Sequence, residues 1–246
     1  MQKITVLTAY DFNTARALAE AGIDLILVGD SLAMVALGYP DTTKLSLGEM
    51  LIALRAVRRG APKAKIIADI PFKVVKQKMP DFLKSVDQLV KAGADILKIE
   101  NASTETLEQI KAAQDQGIEV MGHIGYTPQD LDKFPKPALV KDKEQLMQEA
   151  LKLEEVGVTS MVLEMVPSDI AKEITEKISI PTIGIGAGKD TSGQVLVSDD
   201  LLGRFNLFKP KFLRRYANQY EEMLAAFKNY ASDVRSGEFP SDSESF

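Results

Sequence analysis

The chain has 246 residues, 45% of them hydrophobic, no cysteine and a formal net charge of −5, which suits one large shared core such as an α/β barrel and excludes disulfides and thiolate metal sites. Acidic and basic residues are interspersed, so there is no concentrated basic footprint for nucleic acid. No run of about eighteen apolar residues reads as a membrane span, and the N-terminus enters a strand-like run without a basic and then apolar leader, so neither membrane insertion nor a signal peptide is expected and a cytoplasmic location is.

From the N-terminus, short apolar runs alternate with amphipathic stretches. A strand is predicted over residues 4–9 and a helix over 13–21. Then come strand 25–29, helix 47–59, strand 65–70, helix 80–91, strand 96–100 and helix 104–116. The second half continues with strand 119–123, helix 143–156, strand 160–165, helix 168–177 and strands 182–186 and 194–197. The strands are short, rich in Ile and Val and apolar on both faces, as in a buried parallel sheet. Glycines at 22, 93, 117 and 157 fall just after helices, where a βα repeat turns back to the next strand. About eight such units without a composition break predict one (β/α)8 TIM barrel over residues 1–246, with an open doubly wound sheet as the alternative. A last amphipathic helix is predicted over 209–234, carrying the basic cluster Lys209–Arg215 on a solvated face. A polar, loosely ordered tail is expected over 236–246.

Barrel enzymes place their chemistry at the C-terminal ends of the strands. Those ends carry Asp30 and Ser31, Asp69, Lys98 and Glu100, His123, and Glu164. Lys98 and Glu100 are two apart and share one side of their strand. Charged groups in apolar strands are costly unless paired or bound to a metal, so five polar strand ends together point to a site. Asp30, Asp69 and Glu100 make an oxygen cluster suited to Mg2+, and a small 2-oxo acid can chelate such an ion, which then stabilises an enolate. Ser31 can donate to a substrate oxygen, Lys98 and His123 can offset a carboxylate or shuttle a proton, and Glu164 is the candidate acid/base. Each residue also has a plainer reading: Asp30-Ser31 as a helix cap, Lys98–Glu100 as an ion pair without metal, His123 as a satisfied core residue. The stretch Ile183-Gly184-Ile185-Gly186-Ala187-Gly188 invites a phosphate cradle or simply a close backbone approach.

Several blocks then carry a resemblance. Thr8-Ala9-Tyr10-Asp11, Val28-Gly29-Asp30-Ser31-Leu32, Ala68-Asp69-Ile70-Pro71-Phe72, Lys98-Ile99-Glu100, Gly122-His123-Ile124-Gly125-Tyr126-Thr127-Pro128-Gln129 and Ile180–Gly188 resemble the signature blocks of the ketopantoate (3-methyl-2-oxobutanoate) hydroxymethyltransferase family, in that family's order. The resemblance implies a barrel of the phosphoenolpyruvate mutase/isocitrate lyase superfamily. It implies Mg2+ held by Asp30 and Asp69, with Glu100 reaching it directly or through water. It implies 2-oxoisovalerate bound at Asp30, Ser31, Asp69 and Lys98 with His123 nearby, and Glu164 as acid/base in transfer of a one-carbon unit from 5,10-methylenetetrahydrofolate. The product would be ketopantoate, for pantothenate biosynthesis, made by a homo-oligomer, often a decamer.

The chain departs from the pattern in places. Asp130-Leu131-Asp132-Lys133-Phe134-Pro135-Lys136-Pro137-Ala138 stands where the family has a Gly-Gly-Tyr-Lys-x-Gln-Gly loop. Lys73-Val74-Val75 replaces small and aromatic residues, Asn101-Ala102 replaces two glycines, and Ser198-Asp199 replaces His-Asp. The metal and keto-acid half of the site is retained, and the half that handles folate is altered. A divergent hydroxymethyltransferase is expected; the alternatives are a Mg2+-dependent lyase acting by retro-aldol cleavage on another 2-oxo or 2-hydroxy acid, and a non-catalytic barrel.

Overall fold

Eight parallel strands close into a barrel in order of sequence in the computed structural model, which describes residues 2–207 and 209–246. The strands are β1 Ile4–Thr8, β2 Leu25–Val28, β3 Lys65–Asp69, β4 Ile96–Glu100, β5 Glu119–Gly125, β6 Ser160–Glu164, β7 Thr182–Ile185 and β8 Gly193–Leu196. β8 returns to β1 with Val195 opposite Val6, so the open-sheet alternative does not hold. The chain divides into two compact units, one ending at Val197 and one starting at Ser198.

One residue from each strand fills the barrel interior: Val6, Leu27, Ile67, Ile96, Met121, Val162, Ile183 and Val195. This layer sets the phase of every strand. Side chains alternate with period two, so the residues two further on, including Asp69, Lys98, His123 and Glu164, also point inward, one layer nearer the mouth. Glu100 lies two beyond Lys98. The outward residues, such as Ile26, Ile66, Leu97, Val120 and Leu163, are buried under the helices.

Those helices are α1 Phe12–Glu20, α2 Leu32–Val35, α3 Leu47–Gly60, α4 Phe72–Val75, α5 Met79–Ala92, α6 Thr104–Gln114, α7 Lys143–Glu155 and α8 Ser168–Lys177. Their starts are set by side-chain caps: Asp11, Ser103 and Asp142 accept from backbone N–H groups, and Ser46 with Glu49 forms a capping box on α3. The short helices α2 and α4 had no periodic signal long enough to predict.

The second unit holds α9 Ser198–Leu201 and α10 Gln219–Ser236, ended by Gly237. The predicted helix from residue 209 therefore begins ten residues late, and Lys209–Arg215 lies outside it. The cause is competition for backbone donors. The N–H groups of Tyr216, Gln219 and Tyr220 donate to the carbonyls of Leu201, Leu202 and Gly203 instead of to residues four back. The expected loose tail forms a 3-10 turn, Asp242–Glu244, with Ser241 and Glu244 capping each other. Among the described residues no helix is long and apolar enough to cross a membrane.

Candidate active site

The strand-end groups form one connected cluster at the C-terminal mouth of the barrel. The Asp30 N–H donates to Asp69 Oδ2 at 2.9 Å. Lys98 Nζ donates to Asp69 Oδ1 and lies 4.0 Å from Glu100 Oε1. His123 Nδ1 is 3.4 Å from Glu100 Oε1, and its Nε2 is 3.4 Å from Glu164 Oε2. Neither imidazole nitrogen has an aligned hydrogen bond among the described residues. Asp30, Asp69, Lys98, Glu100 and His123 are all buried, while the Glu164 side chain is 17% exposed at the rim.

One of the plainer sequence readings fails here, and the ion pair of Lys98 with Glu100 is present at 4.0 Å but is not that lysine's main contact. Ser31 begins α2 but its side chain caps nothing; its Oγ instead shares a 2.7 Å hydrogen bond with the Tyr10 hydroxyl from the end of β1. The main partner of Lys98 is Asp69 rather than Glu100. Ser31 stands beside the cluster, oriented by Tyr10, and the other six predicted residues are linked in the chain of contacts above.

Three buried carboxylates face one ammonium, and the electrostatics follow from that imbalance. Burial, then the charges of Asp69 and Glu100, push Asp30 up to about 7. For Lys98, burial disfavours the charged form, but Asp69, Glu100 and Asp30 outweigh it and hold the ammonium above its ordinary value. Burial pulls Glu100 up, yet His123, Lys98 and the Gln129 N–H together leave it below the usual carboxylate range. Burial and Lys98 oppose charge on His123, and the carboxylates of Glu100 and Glu164 overcome both, raising it to about 9. Tyr126, next to the cluster in sequence, is pushed up to about 12 by burial and then by Glu164, Glu100 and Asp30.

The backbone at these strand ends is specialised. Asn101, directly after Glu100, has φ 66, and Met165, directly after Glu164, has φ 49. Asparagine tolerates the left-handed region better than other side chains, and the Asn101 Oδ1 accepts from Ser103 N and Thr106 Oγ1. That is how asparagine stands where the resembling family has glycine. The Gly-rich stretch after β7 serves close packing. Gly188 has φ 79, and a Cβ there would lie 2.5 Å from the Ser168 Cβ at the start of α8.

Gln129 closes the sequence motif that runs from Gly122 but carries no role predicted from sequence. This buried amide donates to Asp30 Oδ2 at 2.9 Å and to the Ile70 carbonyl at 3.1 Å, while its N–H donates to Glu100 Oε2 at 3.0 Å. A glutamine in a rim loop has no periodic signal; its clue was a polar side chain in the turn directly after the histidine strand. Beyond it, a cavity of ≈ 690 Å³ adjoins Glu100 and Gln129, bounded by Phe72, Lys76, Lys133 and the α7 residues Gln148 and Lys152.

As the side chains stand, no three His, Asp or Glu groups among the described residues converge as metal ligands, and Lys98 sits against Asp69. The donor chemistry nevertheless fits a hard divalent cation. The donors are carboxylates, their negative charge is incompletely offset, and Glu100 Oε1 is buried without a hydrogen-bond partner among the described residues.

A closed parallel barrel with acids, a lysine and an imidazole at its C-terminal mouth defines a (β/α)8 enzyme. Among solved structures the fold is similar to the phosphoenolpyruvate phosphomutase from Streptomyces platensis subsp. rosaceus, with a TM-score of 0.66 and 14% identity over 96% of this chain and 84% of that one. It is similar also to a phosphonopyruvate hydrolase complexed with oxalate and Mg++, with a TM-score of 0.65 and 16% identity over 99% of this chain and 88% of that one. Such identities establish the fold alone. The sequence goes further: the family model described as ketopantoate hydroxymethyltransferase matches residues 1–242. The 3-methyl-2-oxobutanoate hydroxymethyltransferases of Thermosipho africanus and Clostridium kluyveri are 48% and 45% identical over 100% of this chain and 94% and 89% of their own. The chain belongs to the ketopantoate hydroxymethyltransferase family and is an enzyme of it.

Proposed function

We propose that the protein transfers a hydroxymethyl group from 5,10-methylenetetrahydrofolate to 2-oxoisovalerate, giving ketopantoate for pantothenate biosynthesis, as a cytoplasmic homo-oligomer. The observation that carries the reading is the buried cluster of three carboxylates around Lys98, with His123 bridging Glu100 and Glu164, in a chain of this family.

Asp30, Asp69 and Glu100 would hold Mg2+, which would supply Lewis-acid withdrawal of charge from the carbonyl of a 2-oxo acid. Ser31, fixed by Tyr10, donates to a substrate oxygen. Lys98 offsets the substrate carboxylate, and its raised pKa keeps it charged for that role. His123 is held protonated by two carboxylates and stabilises negative charge forming beside it. Glu164, the one acidic group of the cluster with an exposed edge, handles the proton at C3. The folate is assigned to the cavity beyond Gln129, whose volume is in the range of small-molecule pockets. In the balanced reaction the C3–H bond breaks and C3 bonds to the methylene carbon. Both C–N bonds of the methylene group break, water supplies the hydroxyl oxygen, and of the C3 proton and the two water protons one stays on that hydroxyl and two go to the nitrogens of the departing tetrahydrofolate.

Proton NMR of 2-oxoisovalerate in D2O tests this, with Mg2+ and the protein, before and after adding the folate. Exchange of the C3 proton followed by ketopantoate is the expected result, and Asp69→Asn abolishes both. Exchange without product would remove the transfer half of the proposal and favour the lyase alternative. Neither exchange nor product would remove the proposal altogether.

A further inference from the structure

Gln129 makes three hydrogen bonds to the site from a loop that leaves β5, yet the chemistry above gives it no part. The residue is 6% exposed. A glutamine amide nitrogen has two hydrogens, and the nearest acceptors are Asp30 Oδ2 after β2 and the Ile70 carbonyl after β3. Its backbone N–H goes to Glu100 Oε2 at the end of β4. One loop residue therefore ties together the ends of three consecutive strands.

The pattern of oxygens it engages is selective. Gln129 takes one oxygen of Asp30 and one oxygen of Glu100. The other Glu100 oxygen, Oε1, is buried with no aligned hydrogen bond among the described residues, with His123 Nδ1 at 3.4 Å and Lys98 Nζ at 4.0 Å beside it. No hydrogen bond to the side chain reaches Asp30 Oδ1 among the described residues either, the Gln129 amide being the donor seen on Oδ2. A carboxylate pinned at one oxygen has lost the freedom to turn, so its second oxygen is presented in a fixed direction. Carboxylates that ligate metals are commonly held this way by outer partners.

We infer that Gln129 is a positioning residue for Asp30 and Glu100, fixing which oxygen of each is open to a divalent cation and seating the rim loop on the same two carboxylates. The inference rests on the proposed cation site for the identity of the ligand. Because the clamp and the ion share Asp30 and Glu100, ion binding and loop seating are coupled, and each strengthens the other.

The test uses the full chain stripped of metal with a chelator and titrated with Mn2+ by calorimetry. Gln129→Met keeps the volume and the backbone N–H but removes both amide donors. Its Mn2+ dissociation constant is expected to rise about 10- to 100-fold. A purely structural role would lower the melting temperature and leave the dissociation constant within twofold of wild type, and that result overturns the inference. Hydrogen exchange on the unmutated protein gives a second readout that does not depend on the variant folding. Mn2+ is expected to slow exchange of the Gln129 amide, and unchanged exchange counts against the coupling. If the unmutated protein binds no Mn2+, both this inference and the cation site fall. If it binds Mn2+ with no dependence on Gln129, only this inference does.

Discussion

His123 is the only histidine in the chain, so its imidazole gives one resonance that reports on the site without mutagenesis. Both ring nitrogens face carboxylates at 3.4 Å, and the folded value is raised from 6.5 to about 9. In the metal-free protein the midpoint of that resonance is expected near 9. Glu164→Gln removes one of the two attracting charges and is expected to lower it. The sign for stability follows from the direction of the shift. A raised value favours the folded state most below pH 6.5, and this contribution is lost as pH rises through about 9. Thermal stability of the metal-free protein should therefore decline across that interval, and less so in Glu164→Gln. A midpoint near 6.5 in the unmutated protein would mean the carboxylates do not govern this ring.

The strand ends were legible because a strand has a period. Once residues 96–100 are read as a buried strand with Ile96 inside, Lys98 and Glu100 must face inward too, and the same parity places Asp69, His123 and Glu164. The loops had no period to read. Tyr10 and Gln129 find their partners across 21 and 99 residues of sequence, and only the closed barrel brings them together. The helix predicted from residue 209 failed for the related reason that tertiary carbonyls captured its donors. Gly125 shows how tightly the rim elements fit. It ends β5 with φ 96, and a Cβ there would lie 2.2 Å from the Glu164 carbonyl oxygen and 2.8 Å from Val166 Cγ2. Gly125→Ala must strain the backbone and displace β6 at Glu164. A loss of about 3 kcal/mol is expected from strain and overpacking together. Urea denaturation reads it, and an unchanged midpoint would contradict the tight approach of β5 to β6.

At the scale of the whole molecule, the open question is self-association, and α10 bears on it. Among its residues, Tyr220, Met223, Phe227, Tyr230 and Val234 are spaced three and four apart in alternation, and all are exposed, Phe227 at 63%. That spacing is the seam of a helix pair, with an apolar stripe that keeps facing a partner helix along its length. Phe239 covers one edge of Tyr230 and leaves the rest of the stripe open. The ends of α10 differ in charge: Glu221 and Glu222 lie in its first turn and Arg235 in its last. Two copies placed antiparallel would set Glu221 and Glu222 of each towards Arg235 of the other, but Asp233 in the same turn offsets that charge, so it is the spacing that favours a second copy of this chain as the occupant. Phe227→Glu puts a carboxylate at the centre of the stripe, where burial in a pair is costly. Light scattering is expected to show an oligomer for the unmutated chain and a smaller species for Phe227→Glu, with the circular dichroism spectrum retained. Equal masses for the two proteins would exclude α10 as the contact, and a monomeric unmutated chain would exclude the homo-oligomer itself.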